Sequence, residues 1–533
     1  MEVFRLMKRK LSLLLVFILL TGVLAGCGGG DVSDDPSPQD EVEIAYYAYN
    51  SEPILNWDPS VMFSNGIIVL NNIYETLLRF DPKTKEFDYL LAEDYSVSED
   101  GLTWTFNLRE GVKFHDGTEM TAEDVKFSID RTMELGKGAS YIWAAVSEII
   151  AVDDYTVEFK LSYPSPLDLV ASSPYAAFIM SKDAVENAEE NWFENANEAG
   201  SGPYMLESAA MGDEVIMTTF EDYWNGWEGD HFDKVIIKKT SETSSRRQMI
   251  EKGDADITQS LPSEDVEALK ETDGVEIVVE PSFTNLIGFF NTEKQPLDNP
   301  KVRQALSYAF PYQDVVDYAV GGYAKQSIGV IPFGHWGHSD DLFQYTKDLD
   351  KAKELLEEAG IEDGELKLLL TYMSGDESEK KSAELYKAEL SKIGVELEIR
   401  AMPWETQWEM AMNEDPAERQ DIFIMYWWPD TSSPYSWLYS LYHSEEEILF
   451  NMSYYSNEEF DTIIDNAAEI SGTDIEKAEE EFIKAQEILI EDSPSIFMYD
   501  KEEVWAINST FKGFEYNPSY PLVVFFYDTY RSK

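Results

Sequence analysis

The chain has 533 residues and a formal net charge of −62, from 103 acids against 41 bases. That excess argues against nucleic acid and against an anionic membrane surface as partners; a host living in high salt, where screening is strong, is the expected setting for it. With 44% hydrophobic and 13% aromatic residues the composition suits a globular body, and the length suggests roughly three or four domain-sized units.

The chain opens with a positive cluster, Arg5, Lys8, Arg9 and Lys10, followed by the apolar run LSLLLVFILL from Leu11 to Leu20 and then TGVLAGC. Positive, apolar, then small is the order of an export signal. The run is shorter than the roughly 20 residues that span a bilayer, so a transmembrane anchor is the weaker reading. Leu24-Ala25-Gly26-Cys27 resembles the lipobox of bacterial lipoproteins. That resemblance implies a signal peptide over 1–26, lipidation of Cys27 and a mature chain that starts there; the bland alternative is an ordinary signal peptide, discarded with its cysteine. Cys27 is the only cysteine, so no intrachain disulfide can form. GGGDVSDDPSPQDE follows it, almost without apolar side chains, and reads with Cys27 as a flexible tether over 27–41.

Trp104 to Leu108 alternates apolar and polar residues, as a half-buried strand does. Turn signals stand on either side, Asp100-Gly101 and Asp116-Gly117. Thr121, three residues before Asp124, marks a helix start, with Val125, Ile129 and Met133 on one face. Ala352, Leu355, Leu356 and Ala359 share a helical face that Gly360 stops. Leu366 to Tyr372 is a buried strand; Ala383, Tyr386, Leu390 and Ile393 mark a helix ending at Gly394; Val395 to Ile399 alternates again. Together they read as a βαβ unit, with Asp421 to Tyr426 as a further buried strand. Leu522 to Tyr527 is expected to be a strand that returns to an earlier sheet.

Catalytic motifs are sparse. The sequence has no GxxxxGK[ST] phosphate cradle and no GxSxG nucleophile elbow. Ser201 lies beside a proline turn, in a loop. His335 and His338 form HxxH within IPFGHWGHSDD, a loop without an obvious third ligand, so no metal and no cofactor is expected. With 103 acids, carboxylate pairs are uninformative.

The segment DGLTWTFNLREGVKFHDGTEMTAEDVKFS, Asp100 to Ser128, closely resembles the signature of the extracellular solute-binding proteins of family 5, the oligopeptide, dipeptide and nickel class that feeds ABC importers. Other segments agree in the family's order: Glu52-Pro53 to Pro59, Asn71 to Leu78 with Tyr74-Glu75, Gly200 to Tyr204, Tyr223-Trp224, Gly253 to Ile257, Pro300 to Leu306 and Asp350 to Gly360. The resemblance runs from about Glu43 to Tyr530. It implies an α/β, two-lobed periplasmic-binding-protein-like fold with hinge strands and an extra subdomain in the first lobe. By similarity, lobe I takes 42–84, 198–291 and 499–533, the extra subdomain 85–197, and lobe II 292–498. The ligand would stabilise the closed form, and a permease with its ATPase would read the closure. On this reading the protein is no enzyme. It is a monomer, held to the outer face of the cell membrane by lipid on Cys27 and making no contact with nucleic acid.

The segment Tyr426-Trp427-Trp428-Pro429-Asp430 to Pro434 follows a buried strand and resembles the W-x-x-D-x-x-x-P of peptide-binding members. The resemblance implies that Asp430 takes a peptide's ammonium, that Trp427 walls a side-chain pocket, and that Trp404 in MPWE is a second pocket aromatic. Tyr426 and Trp428 complete the expected lining. Ile424 stands where some oligopeptide binders place a pocket arginine. A peptide is therefore the expected cargo. An oligosaccharide or a nickel complex is the alternative within the class, since sugar rings stack on tryptophan and the chain has 13. An extracytoplasmic carbohydrate-active enzyme is the alternative outside it.

Overall fold

The computed structural model describes residues 42–445 and 448–533. The expected signal peptide and tether, with Cys27, lie outside the described residues. In chain order, β1 (Ile44–Tyr49) leads through the short helix Ile67–Ile73 to the hairpin of β2 (Leu78–Asp81) and β3 (Glu86–Tyr89). A separate four-stranded antiparallel sheet follows, made of β4 (Ala92–Val97), β5 (Thr103–Leu108), β6 (Val146–Asp153) and β7 (Thr156–Leu161). The alternating segment at Trp104 is its second strand. Helix Ala122–Leu135 packs on this sheet with Thr121 as its N-cap, the Thr121 amide bonded to the Asp124 carboxylate at 2.9 Å.

The main sheet takes β1 together with β8 (Tyr204–Ala210), β9 (Glu214–Thr219), β10 (Lys234–Lys239) and β11 (Ile257–Gln259). It continues through β12 (Val275–Phe290), the two-residue β13 (Ala324–Lys325), β14 (Lys367–Met373), β15 (Glu396–Met402), β16 (Ile422–Trp427) and β17 (Ser495–Asn508). The strand order is β15-β14-β16-β12-β17-β11-β1-β10-β9-β8. β14 and β15 pair in parallel, Lys367 opposite Glu396, across helix Glu377–Ser391, which is the βαβ unit read from the apolar spacing.

Two strands are much longer than the rest, and they join the lobes. β12 and β17 pair antiparallel from Val275↔Asn508 to Phe289↔Ser495, with a register break between Pro281 and Asn285. Before the break, β17 also pairs with β11; beyond it, β12 pairs with β16. The hydrophobic cores divide in the same way. One holds Tyr47, Ile67–Leu70, Phe106, Phe159, Leu167 and Trp505. Two others hold Leu286, Leu370, Tyr386 and Ile424 on one face of the sheet, and Ile287, Phe423, Trp437, Phe460 and Phe482 on the other. The protein is thus a mixed α/β, two-lobed binding-protein fold hinged on a strand pair.

The expectation for Leu522 to Tyr527 fails. The segment turns at Leu522, which has φ +69°, and ends in the 3-10 turn Phe526–Asp528. Val523, Val524 and Phe526 are buried, and Leu522, Phe525 and Tyr527 are half-buried. The backbone partners that a neighbouring strand would supply come instead from one side chain: Asn72 donates to the Val524 carbonyl and accepts from the Phe526 amide, each at 3.0 Å. A buried polar backbone can be satisfied without a ladder, and apolar spacing cannot tell the two apart. The strand that does return to the lobe I sheet is β17.

Candidate functional site

β16 is buried except at the half-buried Tyr426, and it alternates. Ile422, Ile424 and Tyr426 face one core, and Phe423, Met425 and Trp427 the other, as a period of two requires. The five expected lining residues therefore separate. Trp427 and Trp404 share an aromatic group with Trp408, Phe423 and Phe450; Trp427 lies 5.3 Å from Phe450, and Trp404 5.3 Å from Trp408, between ring centroids. Trp427 is 8% exposed, and among the described residues its indole N–H has no hydrogen-bond partner. Tyr426 points the other way and hydrogen-bonds the Tyr499 hydroxyl at 2.8 Å, with the Lys501 ammonium 5.9 Å from its ring.

Trp428 and Asp430 lie where the lobes meet. The Trp428 indole N–H donates to the Tyr175 hydroxyl at 2.8 Å. The half-buried Asp430 carboxylate accepts from the Tyr141 hydroxyl at 2.7 Å, and its backbone carbonyl from Ser173 Oγ. Ser436 Oγ accepts from the Asp430 amide at 2.8 Å and pins the loop. Tyr141 also stacks on Tyr439, 5.5 Å between centroids, and accepts a hydrogen bond from Ser440. Desolvation pushes the Asp430 carboxyl up to about 6, against one opposing hydrogen bond from Tyr141. Among the described residues no ion pair involves it, an uncommon state for a desolvated acid.

The seam partners Tyr141, Ser173 and Tyr175 were not legible in the sequence. They stand 253 to 289 residues from the groups they bond, and no local pattern encodes a pairing that distant. A faint signal existed in the polar serines set among the apolar residues of Val170 to Ile179.

Several segments that carry the family resemblance meet elsewhere, at Glu75. This buried carboxylate accepts from Ser201 Oγ, the Tyr223 hydroxyl and the Trp224 indole N–H, each at 2.9 Å. A Cβ on Gly202 would come within 2.7 Å of the Asn72 carbonyl oxygen, so glycine is what lets the two segments touch. His115 donates to Glu198 at 2.8 Å and to the Gly202 carbonyl at 2.9 Å. Burial pulls its pKa down, but Glu198, by charge and hydrogen bond, together with the Gly202 carbonyl and Glu75, outweighs that, and the net shift is upward. These motif residues hold the fold; they do not line the seam.

The HxxH histidines sit in a loop. His335 is buried between Phe283 and Trp437, each 4.8 Å away, with Nδ1 hydrogen-bonded to the Trp336 carbonyl. Burial pushes its pKa down to about 4, so at neutral pH the ring is uncharged. No group of three or more His, Cys, Asp or Glu among the described residues could hold a metal ion.

The model of the bacterial extracellular solute-binding proteins, family 5, matches residues 86–447. The chain belongs to that family. It is 30% identical over 470 residues to a protein of Escherichia coli named as a probable D,D-dipeptide-binding periplasmic protein, covering 86% of this chain and 89% of the relative. It is 29% identical to the dipeptide-binding protein of the same organism, covering 84% and 87%. Among solved structures, a periplasmic binding protein of Helicobacter pylori in complex with the peptide STSA superposes with a TM-score of 0.82 at 26% identity, covering 92% of this chain and 98% of that one. All three are named as binding proteins, two of them as periplasmic.

Proposed function

We propose that this chain is the cargo-binding lipoprotein of an ABC importer, and that it captures di- and oligopeptides between its lobes. The observation that carries the reading is Asp430, a desolvated carboxylate at the lobe seam with, among the described residues, one neutral donor and no cation. A peptide's ammonium supplies the missing charge through a strong, charge-assisted hydrogen bond. Trp428, beside Asp430 at the seam, and Trp427 with Trp404 take the apolar parts of the cargo; Tyr426, expected in the same lining, faces the opposite core. The buried, unpartnered indole N–H of Trp427 suits a peptide carbonyl. Lobe I comprises 42–84, 198–291 and 499–533, the extra subdomain 85–197, and lobe II 292–498. Cargo favours the closed form, and a permease with its ATPase reads that form. The protein binds and releases its cargo without chemical change and works as a monomer. Lipid on Cys27 holds it beside the importer on the outer face of the cell membrane, raising its local concentration there.

Calorimetry with a random dipeptide and tripeptide pool tests the cargo, with the same pool N-acetylated as control. The reading requires heat from the free pool and little from the acetylated one. Equal heats would remove the ammonium from the account, and heat only with a sugar would replace the cargo class. Mass spectrometry of the membrane-bound protein tests the anchor: the first residue is expected to be a lipidated Cys27.

A further inference from the structure

The lobes meet a second time, on segments that include none of the expected cargo residues. Helix Glu458–Ser471 ends at Gly472, and helix Ile475–Asp492 begins three residues later. Both are anchored in a lobe II core through Phe460, Ile464, Ala478 and Phe482. Gly472 has φ −70° and ψ −11°, a right-handed helical conformation that any residue adopts. Its backbone does not call for glycine, but its surroundings do. A Cβ at this position would lie 2.4 Å from the Ser165 nitrogen, 2.7 Å from the Pro164 carbonyl carbon and 2.9 Å from the Ser165 Cα. All three are backbone atoms, so no side-chain rotation relieves the clash. They belong to the link between β7 and the short helix Leu167–Val170, which Leu161 and Leu167 anchor in the lobe I core. Pro164 Cβ and Thr473 Cγ2 each lie 3.4 Å from where a Cβ on Gly101 would stand, so the same seat brings in the turn before β5. Ser471, Gly472 and Ile475 also line an interlobe cavity of about 300 Å3 together with Phe80, Trp104 and Leu169.

We propose that Gly472 is an affinity-determining residue that acts on lobe closure without touching cargo. When the lobes part, an alanine here has open space and the better helix propensity. When they shut, its Cβ must displace the Pro164–Ser165 backbone. Gly472→Ala therefore penalises only the closed form, and a ligand that needs closure loses apparent affinity by the same factor. The inference rests on the reading that the lobes open and shut around cargo.

The test is cross-linking of ligand-free, full-length protein carrying Cys27→Ser, Pro164→Cys and Thr473→Cys with a short bismaleimide, with and without Gly472→Ala. The cross-link forms only when the seat is made. Its rate is expected to fall at least about fivefold with the alanine, while the urea midpoint of the ligand-free protein stays put or rises slightly. Affinity for a random dipeptide pool should weaken by a matching factor, at least about fivefold. An unchanged cross-linking rate overturns the proposal. So does a slower rate accompanied by a lower urea midpoint, which would mean that the alanine damages the fold. Failure of the parent protein to bind the dipeptide pool would remove the peptide reading and leave the cross-linking result to decide the seat.

Discussion

Two carboxylates, Glu75 and Asp430, sit in desolvated surroundings and have opposite surroundings in every other respect. Glu75 is met by three donors, each at 2.9 Å, all drawn from lobe I and its neighbouring segments. Asp430 is met by one phenol from across the seam. Desolvation raises both pKa values; three hydrogen bonds oppose the rise at Glu75 and one at Asp430. A saturated buried acid is finished structure. An under-saturated one at a joint between two bodies is incomplete until something binds. Family resemblance alone does not separate these roles, because both residues lie in segments that carry it.

The largest test of this contrast is Glu75→Ala. It leaves three buried donors without an acceptor and should cost about 3–5 kcal/mol of stability in urea unfolding, with cargo affinity of the surviving folded protein unchanged. A loss of affinity with little loss of stability would make Glu75 a binding residue and erase the distinction. Asp430→Asn should do the reverse. The folded-state pKa of Asp430 is raised, so the acid favours folding below its unfolded pKa, and that contribution is lost as pH rises through about 6. The asparagine variant should therefore be more stable than the parent at pH 7 without cargo, by on the order of 2 kcal/mol, with the gain vanishing near pH 4. Its affinity for peptide should fall more than about tenfold. A variant that loses stability at pH 7 would show that Asp430 is already satisfied.

Acid sharpens the same comparison. A bound ammonium depresses the Asp430 pKa, so peptide affinity should hold above pH 6 and weaken below it, by up to about tenfold per pH unit. A flat profile between pH 7 and pH 5 contradicts the pairing. Tyr141→Phe is the smallest change. It removes the one donor to Asp430 and one cross-lobe bond, at about 1 kcal/mol of affinity, and it should move the acid limb of the profile to higher pH. No movement would place Tyr141 outside the site.

Much of lobe II was legible because its order is local. The apolar spacing of Leu366–Tyr372, Ala383–Ile393 and Val395–Ile399 falls on β14, helix Glu377–Ser391 and β15 within a few residues. The terminal segment was misread because burial without pairing leaves the same apolar signature as a strand, and the pairing partner was the amide of a residue 452 positions away. The candidate site divides along the same line. Asp430 was legible as a residue, since its motif is contiguous. Its surroundings were not. That Tyr141 is its donor, that Trp427 and Tyr426 face opposite cores, and that Gly472 abuts Ser165 all depend on the meeting of two lobes, which the sequence records only as two separately folded halves.

The central claim is that Asp430 waits, partly protonated, for a cation that cargo brings. Proton release on binding measures this most directly. Titrate the random dipeptide pool into the protein at pH 6, in buffers of different ionisation enthalpy. The account predicts net release of about half a proton per peptide bound at pH 6, rising toward one at pH 5, and net uptake at pH 8, where much of the free peptide amine (pKa roughly 7.7–8) must gain a proton to bind as ammonium. No release at pH 6, or release that Asp430→Asn leaves unchanged, would contradict it.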